Sequence, residues 1–98
     1  MNINKEILEN DILHYVSHII NQNRMNQLSI DQGMLLRKNF FGVDIDLDPK
    51  DLVYIVVLLE EKYSFRFSNE DFDSPDFFTP LGLSKIAYQR VALNAKKE

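Results

Sequence analysis

Cysteine is absent from the 98-residue chain, so neither a disulfide framework nor a thiolate metal site is available to it. Glycine and proline occur three times each, too seldom for a disordered or low-complexity chain. The glycines, Gly33, Gly42 and Gly82, are scattered, which excludes a glycine-rich phosphate loop. The longest apolar run, residues 52–59, is about half the length a membrane-spanning helix needs. The N-terminal segment has acids where a secretory signal would have its apolar stretch. The expectation is a cytoplasmic protein without membrane insertion.

What is present is the composition of an ordinary folded protein, 45% apolar and 11% aromatic. The length suits one domain over residues 1–98 with a single modest core. The formal charge of −4 is unevenly spread. Residues 44–76 carry ten acids against three bases, a local charge of −7, while the remainder is at +3. An acidic centre repels phosphate backbones, which argues against nucleic acid as a partner. It attracts a basic protein surface.

Leu8, Ile12, Val16, Ile19 and Ile20 recur at three- and four-residue spacing and predict a first helix over about residues 5–23, capped by Asn4. A long connection follows, to residue 47. Within it, Ser29-Ile30-Asp31-Gln32 reads as a capping box and predicts a short helix near residues 30–38. Phe40 and Phe41 then form two aromatic plugs before a turn at Gly42.

Asp48-Pro49 opens the clearest element. Asp48 can cap free amides, Pro49 fits the first helical position, and Asp51 adds a charge that the helix dipole favours. Residues 52–59 are apolar on every side, and their β-branched members favour a strand. The Asp-Pro start and the helix formers at 58–62 decide for a helix over about residues 49–63, expected to be central and surrounded by the others. Ser64-Phe65-Arg66-Phe67 breaks the helical spacing and puts both phenylalanines on one side of an extended segment. Ser68-Asn69-Glu70-Asp71 is a second capping box for a very short helix, and Pro75 is expected to end regular structure there. Thr79-Pro80 opens a last helix to about residue 94, with Leu83, Ile86, Ala87 and Val91 facing inward and the final residues fraying. The predicted fold is all-α: a small bundle of three longer helices plus one or two short ones, with a long loop between the first and second long helices.

Few constellations offer chemistry. Asp44-Ile45-Asp46-Leu47-Asp48 begins like a calcium loop, but Pro49 and Ile55 stand where that loop needs glycine and glutamate. His14 and His18 lie four apart on one helix face, yet lack the adjacent glutamate and further ligands of a metal site. None of Ser17, Ser29, Ser64, Ser68, Ser74 and Ser84 sits in a nucleophile elbow. Glu60 and Glu61 read as solvated carboxylates on a helix end rather than an acid–base pair. The expectation is no catalysis, no metal and no cofactor.

The order of elements, and the stretch from Asp48 to Phe67, resemble an acyl carrier protein. Leu59-Glu60-Glu61-Lys62-Tyr63, Phe65-Arg66-Phe67 and Phe78-Thr79 carry the likeness, which covers roughly residues 5–91. The resemblance implies a serine bearing a phosphopantetheine arm at the start of the second long helix. Aligned through Leu59-Glu60-Glu61 that position is Pro49; aligned through Gly42 it is Ile45. Neither has a hydroxyl, so no phosphodiester to the arm can form there. A narrower resemblance, carried by Lys50-Asp51-Leu52-Val53-Tyr54, is to the acyl carrier-related proteins of bacterial peptide maturation systems, which have lost that serine. It implies an adaptor that docks on a peptide-modifying enzyme or its precursor peptide in the biosynthesis of a modified peptide or bacteriocin. By position, Asp48, Asp51, Glu60 and Glu61 would face basic patches on the partner. Tyr54 is an interface anchor if exposed and a core residue if buried. Two rival readings stay open: a carrier whose cargo is attached at another serine, and a small helical immunity or regulatory protein.

Overall fold

The structure, a computed structural model, describes residues 4–23, 32–43 and 45–96. It contains helices α1 (Lys5–Asn23), α2 (Gln32–Leu35), α3 (Pro49–Tyr63), α4 (Asn69–Phe72) and α5 (Pro80–Lys96), with a 3₁₀ turn over Pro75–Phe78. The described residues contain no strand, and no described helix is long and apolar enough to cross a membrane. The fold is the expected small all-α bundle.

Local chemistry sets the element boundaries. Asn4 caps α1 by accepting from the Ile7 amide at 2.9 Å. Asp51 reaches back to the Asp48 amide at 3.1 Å, and Asp71 to the Ser68 amide at 2.8 Å, so α3 and α4 both start on an acid three residues into the helix. Thr79 Oγ1 accepts from Gly82 N at 3.0 Å and caps α5. At the far end of α3, Ser64 takes left-handed angles (φ 54°, ψ 53°), which lets the Phe65 amide bond back to Glu60 O at 3.2 Å. That reversal sends residues 65–67 off as the extended segment expected, with Phe65 and Phe67 buried and Arg66 exposed.

Of the short helix expected near 30–38, the described residues show Gln32–Leu35 as helix and 36–38 outside it, and Ser29, Ile30 and Asp31 of its capping box lie outside the described residues. Pro75 begins a 3₁₀ turn rather than ending structure, because Ser74 Oγ accepts from the Asp76 amide at 3.3 Å and proline suits a first helical position. Helix α5 continues two residues past the expected end at 94, and residues 97 and 98 lie outside the described part.

The core joins the inward stripe of α1 to Leu52, Ile55, Val56 and Leu59 of α3 and to Leu83, Ile86 and Ala87 of α5. Phe40 is fully buried, while its neighbour Phe41 remains 39% exposed, so only one of the two expected plugs is complete. The Phe40 amide donates to Phe78 O at 2.7 Å, and its carbonyl accepts from Leu47 N at 2.8 Å. These bonds lash the long connection to the 3₁₀ turn. A run of aromatic contacts, Phe65–Phe67–Phe77–Phe78–Phe41, with centroid separations of 4.9 to 5.9 Å, follows the same seam.

The chief helix pairing is α1 with α5, and α3 lies along α1. The expectation of a central, enclosed α3 is therefore corrected: Val53, Tyr54 and Val57 are 61%, 56% and 41% exposed. Helix α3 flanks the bundle and keeps an open side.

Candidate docking face on α3

At about 100° per residue, Leu52, Ile55, Val56 and Leu59 share one side of α3 and make its buried stripe. Lys50, Tyr54, Val57 and Glu61 fall on the opposite side, within about 60° of arc, with Val53 beside them. The outward side of α3 is thus apolar at its centre and charged at its ends. Surface helices usually present polar groups there, whereas α3 exposes a cluster of Val53, Tyr54 and Val57.

The five residues expected to bind a partner are not equivalent. Tyr54 and Glu61 lie close to one line along α3 and both are exposed. Asp48 is exposed at the N-terminal end, and half-buried Asp51 spends one oxygen on the Asp48 amide. Glu60 is half-buried. Its Oε2 accepts from the Phe67 amide at 2.9 Å and ties the end of α3 to the extended segment. One oxygen of Glu60 is thus engaged by the fold, and reversing the charge of this residue would orphan that amide. Lys50, Val53 and Val57 were missed as members of the face. The signal was present in the 50-54-57-61 spacing, but in a helix apolar all round that spacing cannot be told from a core stripe.

A cleft of about 810 Å³ opens at the C-terminal end of this face. Val57, Glu60 and Glu61 line one wall, and Phe65, Arg66, Arg90 and Leu93 line the rest. Arg90 is committed to the fold: its guanidinium holds both oxygens of Asp71 and donates to Ser68 Oγ at 2.8 Å. On the opposite edge of α3, Asp11 Oδ2 accepts from Lys62 Nζ at 3.0 Å and from the Tyr63 hydroxyl. The bond to Asp11 holds the Lys62 ammonium above its usual range. Burial, and then donation to Asp11, push the Tyr63 phenol well above its own. These contacts clamp α3 to α1 and fix which side of α3 faces out.

The other candidates, where described, are spread over several elements. His14 and His18 are both exposed on α1, and no group of three or more potential metal ligands occurs among the described residues. Asp44 of the calcium-like run lies outside the described residues. Ser84 is buried and donates to Leu81 O at 2.6 Å, Ser68 Oγ accepts from Arg90, and Ser74 Oγ caps the 3₁₀ turn. Of the two positions where a carrier serine was sought, Ile45 is 1% exposed and belongs to the core, whereas Pro49 is exposed at the first turn of α3. No family model matches the chain, and neither a curated protein nor a solved structure does so.

Proposed function

We propose that this protein is a non-catalytic, carrier-like adaptor that uses the outward side of α3 to dock a peptide-modifying enzyme, or the precursor peptide, of a bacterial peptide maturation system. The observation that carries the reading is Tyr54, 56% exposed between two aliphatic neighbours and in line with the exposed carboxylate of Glu61. A tyrosine supplies a large contact area with little side-chain entropy to lose. Acids around it steer a basic partner surface and set its orientation. The resemblance to serine-less carrier proteins supplies the partner class. Pro49, at the exposed first turn of α3, leaves no hydroxyl for an arm, so the adaptor works by contact alone.

The test is affinity capture of the tagged protein from its native host, with co-purifying proteins identified by mass spectrometry. The expected result is a peptide-modifying enzyme, protease or exporter, retained by the wild type and lost with Tyr54→Ala and with Glu61→Lys. Capture of a toxin or receptor instead, or no capture at all, would sink the maturation reading. Incubation with coenzyme A and a phosphopantetheinyl transferase should leave the intact mass unchanged; a mass gain would establish a loaded carrier in place of an adaptor.

A further inference from the structure

We infer that the outward side of α3 is self-complementary and seats a second copy of this chain, helix against antiparallel helix. The inference goes beyond the adaptor reading and does not depend on it. It rests on the order of residues along the exposed line. Lys50 and Glu61, and Tyr54 and Val57, are pairs centred on one point, midway between Ile55 and Val56. A two-fold axis through that point lays each residue of a pair over its counterpart in the other copy. Lys50 then meets Glu61 of the other copy at both ends, and Tyr54 meets Val57 twice in the middle. The 4-3-4 spacing of positions 50, 54, 57 and 61 is that of a coiled-coil seam, so two such helices can pack along their full exposed length.

The groups involved are open to contact. Val53, Tyr54 and Val57 are exposed, as are Lys50 and Glu61. Among the described residues, neither Lys50 nor Glu61 has an ion-pair partner. A parallel arrangement would set Lys50 against Lys50 and Glu61 against Glu61, so the charges select the antiparallel one. A single helix face is a small interface, which makes this a reversible association. Because it covers Tyr54 and Glu61, the second copy excludes any other occupant of the same face.

Sedimentation velocity on the purified full chain, from about 10 µM to about 1 mM at low salt, tests this with Lys50→Glu, Glu61→Lys and the double variant. All three substitutions lie on the exposed side, and helicity by circular dichroism should match the wild type. Each single reversal creates two like-charge contacts by symmetry and should weaken the dimer by about tenfold. The double variant restores both pairs and should return association to the wild-type level. A protein monomeric over the whole range overturns the inference. So does a dimer indifferent to the single reversals, or one that the double variant fails to restore.

Discussion

Arg90 grips Asp71 with both arms of its guanidinium, Nε to Oδ2 at 2.8 Å and Nη2 to Oδ1 at 2.9 Å, across nineteen residues of chain. The same Asp71 oxygen that takes Nε also accepts from the Ser68 amide. One carboxylate thus starts α4 and fastens it to α5. A planar fork is needed for this, and lysine cannot reproduce it. Arg90→Lys should keep the charge, lose the two-point grip and lower the melting temperature by about 5 °C, read by thermal denaturation. An unchanged midpoint would make the pair ornamental.

The same contact sets an acid limit. Hydrogen bonding from Arg90, and after it the Ser68 amide, holds the Asp71 carboxyl below its ordinary value despite partial burial. A carboxylate with a depressed folded-state pKa stabilises the protein above its unfolded value of 3.8, and that stability drains away as pH falls through the folded-state value. Urea midpoints of the wild type should therefore drop below about pH 4 more steeply than those of Asp71→Asn, which lacks the proton site.

At the other end of the scale stands Tyr63. Its phenol is raised by burial and by donation to Asp11, so its contribution is intact below pH 10 and is lost as pH climbs through the raised value. Lys62, bound to the same carboxylate, acts in the same direction. Tyr63→Phe should cost about 1 kcal/mol at neutral pH and flatten the alkaline fall in stability. Equal alkaline slopes for the two proteins would remove Tyr63 from the account.

Gly82 is required by space rather than by dihedral freedom. A β-carbon there would lie 1.9 Å from the carbonyl oxygen of Asp76 and 2.6 Å from its carbon. The obstacle is backbone of the 3₁₀ turn, which cannot swing aside as a side chain would. Gly82→Ala should push the turn off α5 and cost about 2–3 kcal/mol despite alanine's better helix propensity, as read by chemical denaturation. A stabilised variant would show that the turn yields freely.

The long helices could be read from the chain because their causes are local. Asn4, Asp51, Asp71 and Thr79 each accept from an amide three residues away, and the aliphatic stripe of α1 repeats every turn. The bounds of α1 and α3 follow from that alone. Pro75 misled because the rule that proline interrupts a helix holds inside one and reverses at its first turn.

The docking face is a different matter. Six residues of the expected site region, Val53 to Leu58, are aromatic or aliphatic without exception, so nothing in their order says which side turns inward. That was decided by residues far away in sequence: Asp11 on α1 takes Lys62 and Tyr63, and the extended segment claims Glu60 through the Phe67 amide. The sequence by itself determined where the three long helices begin, because caps and periodicity act over a few residues. Only the tertiary structure decided which side of α3 stays open, because burial is a property of the partner that arrives and not of the helix that receives it.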